Sequence, residues 1–241
     1  LEPAIDAHQL APGRQLRPAI EYLASRYRAR RWMFVGNDYV WPHVSHRLAA
    51  RYVAEQGGEV VADRYLPFNT DDFSELLDEI SKLKPHAILL SLVGQDAVQF
   101  NRAFGDLGLA RDMFRLSCAI EENGLLAIGA DNTEGLFVSS GYFGSLESDA
   151  NMAFRERYHN HFGQRAPTLN ALGQSTYEGV HFMAALARRA ADEDAPLLGD
   201  RAPPLAFRSV RGISYFGNDR CVHPTYLAEA GGHLFQRPVA L

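Results

Sequence analysis

The 241-residue chain has only two cysteines, Cys118 and Cys221. Two exclude both a disulfide framework and a thiolate metal set. No apolar run approaches the ~20 residues that span a bilayer. Basic residues are not in excess: 24 Lys and Arg stand against 29 Asp and Glu, a net charge of −5 with a pI near 6. That balance argues against direct nucleic-acid binding. The short basic run Arg26–Arg31 reads as a helix C-terminus complementing the helix dipole. Leu1-Glu2-Pro3-Ala4 has neither the basic region nor the apolar core of a secretory signal. A mature or shortened chain would begin the same way, so the compartment stays open.

Catalytic and cofactor fingerprints are missing as well. Gly36-Asn37-Asp38 is not a Gly-x-Gly-x-x-Gly turn, no Walker loop occurs, and Gly173-Gln174-Ser175 is not a nucleophile elbow. His43 and His46 stand three apart, with no third ligand nearby in sequence, and read as an exposed helix face. His159 and His161 read the same way. No cofactor and no metal is expected.

What is present is ordinary globular composition, 46% hydrophobic and 22% charged, with strongly patterned segments. Strands are expected at Trp32–Gly36, Glu59–Tyr65, His86–Val93, Phe114–Ile120 and Leu136–Tyr142. Helices are expected at Ala19–Arg28, opened by Pro18, and at Val44–Gln56, Phe73–Leu83, Gln95–Gly108 and Glu121–Ile128. Gly57-Gly58 stops one helix, and Asn69-Thr70-Asp71-Asp72 supplies capping chemistry for the next. Phe73, Leu76, Leu77 and Ile80 form one inward face, as do Val98, Phe104 and Leu107. Cys118 falls in a buried strand. This βα alternation predicts an α/β fold with a doubly wound parallel sheet. Helices Asp149–Phe162 and Ser175–Ala191 follow, then a loop over Asp192–Pro204. Strands near Val210–Phe216 and Thr225–Ala230, joined by Gly217-Asn218-Asp219, read as a hairpin. The expected division is an irregular lead-in over 1–17, a ligand-binding α/β lobe over 18–144, and a partial second lobe over 145–241.

Open α/β sheets bind ligands at the carboxyl ends of their strands, so the residues following each strand are the candidates. After the first strand, Trp41 is a flat wall for a small molecule and Asp38 or Tyr39 a polar handle. The alternative is a helix start in which Asp38 caps and Pro42 opens the helix. After the third strand, Val93, Gly94 and Gln95 either let a ligand approach backbone amides or form an ordinary turn. Ser117, Glu121 and Glu122 follow the fourth strand. Adjacent carboxylates on a helix cannot both face one site, and Glu121 is the preferred acceptor for a ligand N–H. The alternative is that both favour the helix dipole. Tyr142, with Phe143, is a crevice wall or core.

Three segments carry a resemblance: Phe34-Val35-Gly36-Asn37-Asp38-Tyr39-Val40-Trp41-Pro42, Gly57-Gly58-Glu59-Val60-Val61, and Tyr65-Leu66-Pro67-Phe68-Asn69-Thr70-Asp71-Asp72-Phe73. Leu92–Asp96, Ile120-Glu121-Glu122, Glu134-Gly135-Leu136, Tyr142-Phe143 and Tyr177-Glu178-Gly179 follow in the same order. From about Arg14 onward the chain resembles type I periplasmic binding proteins. The nearest subgroup is the receptors for urea, short-chain amides and branched-chain amino acids, including amide-sensing regulators of amidase operons. The resemblance implies two lobes closing on a ligand, with Trp41 as the closing aromatic, Val93 and Gly94 lining the cleft, and Glu121 or Glu122 as the acidic contact. It also implies a preceding first-lobe sheet that this sequence lacks, hence a fragment or degenerate member, with ligand-specifying Ser and Thr contacts missing. Exposed apolar helix faces would then favour a homo-oligomer. The expected function is non-catalytic binding of an amide, urea or amino-acid-like ligand. Its partner is an ABC permease if the protein serves an importer outside the cytoplasm, or a regulatory protein if it is a cytoplasmic sensor. A small-amide hydrolase using Glu121 and a ligand-free interaction module are the readings from other classes.

Overall fold

A computed structural model describes residues 12–191, 204–217, 220–221 and 223–241. Expectations for 1–11, 192–203 and the turn residues Asn218-Asp219 lie outside the described residues. The described chain forms two compact units: a sheet unit, Pro12–Ser140 with Thr225–Leu241, and a helical unit, Gly141–Pro224.

The sheet unit opens with α1 (Pro12–Arg26), followed by β1 (Arg31–Asn37), α2 (Val40–Glu55), β2 (Glu59–Leu66), α3 (Ser74–Leu83), β3 (Ala87–Ser91), α4 (Gly94–Asp106), β4 (Phe114–Ser117), α5 (Glu122–Ile128) and β5 (Leu136–Ser140). The five strands are parallel in the order β2-β1-β3-β4-β5, the doubly wound sheet expected. Both faces of β1 and β3 are buried, as a sheet covered on two sides requires. Trp32, Phe34, Leu89, Leu116 and Phe137 form one core with Leu16, Ile20 and Leu23 of α1 and Tyr52 and Val53 of α2. Alternation turns Met33, Val35, Ile88 and Leu90 to the other face, where right-handed crossovers bring α3, α4 and α5.

Several boundaries differ from expectation for local reasons. The first helix begins at Pro12, so residues 12–17 are helical rather than irregular, and Pro18 lies inside the helix instead of opening it. Pro12 occupies the start, where a missing N–H costs nothing. Pro18 costs about 3 kcal/mol, offset by burial of Leu16, Ile20 and Leu23 at about 1.5–3 kcal/mol each. α2 begins four residues early, at Val40, so Pro42 sits within its first turn. α4 ends at Asp106, and Leu107, its C-cap residue, is 61% exposed instead of inward. β4 stops at Ser117, so Cys118 lies beyond the strand and is half-buried, its thiol pushed by burial up to about 12.

The helical unit holds α6 (Asp149–Phe162) and α7 (Ala171–Ala190), with β6 (Leu205–Ser209), β7 (Gly212–Gly217) and β8 (Arg220–Cys221) in an antiparallel sheet. Ser148 and Asn170 cap α6 and α7 through their side chains. Leu172, Val180 and Met183 lie exposed along α7. Arg211 and Glu178 form a buried ion pair, with Gln174 donating to the same carboxylate oxygen at 3.0 Å.

The tail returns to the sheet unit as β9 (Tyr226–Gly231) and β10 (Leu234–Ala240). β9 runs antiparallel to β5, and β10 to β9. The expected hairpin between Val210–Phe216 and Thr225–Ala230 does not form: those segments belong to different sheets. Turn residues permit a hairpin, but the open edge of β5 and the core slot for Leu227 decide the partner.

Arg115, on β4, is fully buried. It donates to Asn101 Oδ1 (2.7 Å), Asn132 O (3.1 Å) and Glu134 O (2.6 Å), and sits 4.6 Å from the Phe104 ring centroid. Burial lowers its pKa to about 10, partly opposed by Glu134, so it stays charged at neutral pH. Arg115→Ala takes the donor from one buried and two part-buried acceptors and is expected to cost about 3 kcal/mol in urea unfolding. The exposed Arg47→Ala is expected to cost under about 0.5 kcal/mol.

Candidate functional site at the carboxyl edge of the sheet

In a 2-1-3-4-5 sheet the strand order reverses between β1 and β3, and the crevice outside their carboxyl ends is the ligand position. Asn37 closes β1 and is wholly buried. Its Nδ2 donates to Asp96 Oδ2 at 2.6 Å, and its Oδ1 accepts from Val93 N at 2.9 Å. Asp96 Oδ2 also accepts from Asn69 N at 3.1 Å. One amide and one carboxylate thus tie together the loops after β1, β2 and β3.

Tyr39 is the N-cap residue of α2, with extended backbone and no side-chain cap. Capping by Asp38 does not occur. Its carboxylate pairs instead with His43 Nε2 at 2.8 Å. Tyr39 stacks at 6.4 Å on Trp41 and lies 5.2 Å from Phe68. The three rings form an aromatic shelf, and burial raises the Tyr39 phenol. Phe68 is 50% exposed. It was legible only as part of the family-like stretch, because nothing local marks a loop phenylalanine as a wall.

Val93, Gly94 and Gln95 follow β3. The Val93 amide is consumed by Asn37. Gly94 adopts φ +57 with open space where a Cβ would stand, and Gln95 is exposed. After β4, Ser117 is fully buried and its Oγ accepts from Ala119 N at 3.1 Å, a turn contact. Glu121 is the N-cap residue of α5, half-buried, and Glu122 follows it, 8% exposed. The structure therefore brings Asp38, Tyr39, Trp41, Val93, Gly94, Gln95, Ser117, Glu121 and Glu122 to one sheet edge. Tyr142 follows the carboxyl end of β5 by two residues. It lies in the helical unit, 1% exposed, its hydroxyl donating to Asn151 Oδ1 at 2.8 Å beside Phe154 and Val210.

His46 is not on an exposed face, as its spacing from His43 had implied: it is 1% exposed. Nδ1 lies 2.7 Å from Asp63 Oδ1 and Nε2 lies 3.0 Å from Ser91 Oγ. Tyr65 donates to the other Asp63 oxygen at 3.0 Å, and His43 stacks on Tyr65 at 3.9 Å. Desolvation first, then the bond to Asp63, raises the Tyr65 phenol. Sequence proximity hid this cluster because its members come from α2, β2 and β3. Among the described residues no group of three or more His, Cys, Asp or Glu could hold a metal ion, and no helix is long and apolar enough to cross a membrane. A separate cavity of about 490 Å³ lies in the helical unit, walled by Phe154, Tyr158, Phe162 and Tyr177. None of the edge residues lines it.

Asn37→Ala removes both halves of the buried junction and takes from Asp96 one of the donors to its Oδ2. It is expected to cost about 3 kcal/mol in chemical denaturation and to open the 67–72 and 92–95 loops to limited proteolysis.

A family model described as periplasmic binding protein matches residues 10–233. Among solved structures, the chain is similar to an ABC-transporter solute-binding protein from R. palustris in complex with 4-hydroxybenzoate, with a TM-score of 0.80 and 20% identity, covering 95% of this chain and 64% of that one. It is also similar to an amino acid ABC transporter substrate-binding protein from Pseudomonas fluorescens Pf-5 (TM-score 0.76, 15% identity, 96% and 64% covered). A leucine-binding protein from Thermotoga maritima MSB8 gives 0.73 and 17%, with 95% and 65% covered. Identities this low carry the fold alone. The chain spans just under two thirds of these structures' length.

Proposed function

We propose that this chain, which belongs to the periplasmic binding protein family, is a non-catalytic receptor taking a small polar ligand of amide, urea or amino-acid type at the carboxyl edge of its sheet unit. The observation that carries this reading is the aromatic shelf of Tyr39, Trp41 and Phe68 at the same edge as the open backbone at Gly94 and the acidic Glu121. A flat apolar wall with a few placed polar groups is the usual make-up of a small-molecule site. The shelf suits the planar part of a ligand, the first amides of α4 its carbonyl or carboxylate, and Glu121 its N–H.

The ligand named for one structural neighbour, 4-hydroxybenzoate, supports a second reading, an aromatic carboxylate on the same shelf. The neighbours' names support an ABC permease as partner. A regulatory protein is the partner if the chain is a cytoplasmic sensor, and the compartment follows the partner. No observation supports a small-amide hydrolase through Glu121, and the Ser91–His46 pair, a hydroxyl beside a base, is itself closed off.

Calorimetry and thermal shift on the purified protein with acetamide, urea, leucine and 4-hydroxybenzoate test the reading. At a hundredfold excess over Kd, one compound is expected to raise Tm by roughly 5–10 °C. Trp41→Ala and Glu121→Gln should each weaken binding about tenfold, or 1.4 kcal/mol. No shift with any compound, or turnover of acetamide, overturns it. The same sample's mass in solution reads self-association.

A further inference from the structure

We propose that Asp63, His46 and Ser91 form a positioning set for the ligand wall: His46 staples the opening of α2, which carries Tyr39 and Trp41, across β1 onto β2 and β3. The proposal rests on the reading of that shelf as a ligand wall.

The geometry begins at Gly36. A Cβ there would stand 2.7 Å from Pro42 Cβ, 3.2 Å from His46 Cε1 and 3.2 Å from Ser91 Cβ. The first turns of α2 therefore rest directly on the β1 backbone, and only glycine allows so close an approach. His46 follows Pro42 by four positions, one helical turn on. Its ring lies 5.2 Å from Phe34 of β1 and reaches Asp63 on β2 with one nitrogen and Ser91 on β3 with the other. Pro42 and His46 are thus two adjacent fixing points, and Trp41 projects from the same turn.

The proton assignment follows from the partners. An ionised carboxylate only accepts, so His46 Nδ1 carries the hydrogen. In the neutral ring Nε2 is then bare and accepts from the Ser91 hydroxyl, whereas a protonated ring donates to Ser91 Oγ instead. The second Asp63 oxygen is held by the Tyr65 hydroxyl. Other ionisable groups near this set include His43, stacked on Tyr65 and paired with Asp38, Arg47, whose charge acts on Tyr65, and Arg64, which donates to the Asp63 carbonyl at 3.0 Å and pairs with Glu79.

Ser–His–Asp in this order is also the arrangement of a hydrolytic triad. Here Ser91 is 2% exposed and His46 1% exposed, so no acyl group reaches the hydroxyl. What remains for the set is orientation.

The test is read on the intact chain without ligand. Labelling with 5-fluorotryptophan gives two resonances, because the chain has two tryptophans, Trp32 and Trp41, and Trp41→Phe assigns them. His46→Gln and the milder Asp63→Asn, at a partly exposed position, are expected to shift and broaden the Trp41 resonance and leave that of core Trp32 in place. In ¹⁵N-histidine spectra His46 is expected as the Nδ1–H tautomer, and Ser91→Ala should perturb its Nε2 signal alone. A His46 Nδ1 without a proton, or an unmoved Trp41 resonance in folded Asp63→Asn, overturns the proposal. If these signals respond as expected while acetamide, urea, leucine and 4-hydroxybenzoate all fail to bind, the positioning set stands and the ligand reading falls. If one of those compounds binds the parent and Asp63→Asn equally well, the positioning set falls and the ligand reading stands.

Discussion

The buried contact between Asn37 and Asp96 is the constraint on which the carboxyl edge depends. An amide side chain can accept from a backbone N–H and donate to a carboxylate at once, and Asn37 does both. Asp96 in turn accepts from the loop after β2. In a low-dielectric interior a charged acceptor with two donors is strongly held, and it is costly when one is lost. Three loops that would otherwise sample many conformations are therefore pinned to one, and the shelf and the Gly94 turn inherit their positions from it.

The other polar contacts of the edge reinforce that frame from the α2 side. Asn37 faces β3 and α4, whereas His46 ties α2 to β2 and β3. Between them they engage every element bordering the switch point. Asn37 and Asp96 are buried beneath, while Phe68 and Asp38 are exposed and Tyr39, Trp41 and Glu121 half-buried above them. This division, rigid polar contacts beneath and an apolar shelf with few polar groups above, is how a site keeps its geometry at small entropic cost.

Family membership and the architecture agree. A doubly wound sheet with an antiparallel return from the C-terminal tail is built from the first and last parts of the described chain, while the middle forms the helical unit. The chain leaves the sheet after Ser140 and re-enters it at Thr225. Contiguous sequence is thus divided between two units, and a boundary drawn along the sequence near 144 cannot capture the return of β9 and β10.

The sequence by itself determined the alternation of strands and helices, the parallel sheet and the loops that follow each strand. Those depend on local periodicity, glycine stops and capping residues, which act over a few positions. It also marked Tyr39, Trp41, Gly94 and Glu121 as edge residues, since each follows a legible strand. Only the tertiary structure decided which side chains meet there. Asn37 and Asp96 are 59 positions apart, and His46 and Ser91 are 45 apart. Their contacts exist because strand order and register bring distant segments together, and no local pattern encodes that. The same holds for β9, which joins β5 rather than β7: open sheet edges and core slots choose strand partners, and those belong to the assembled fold.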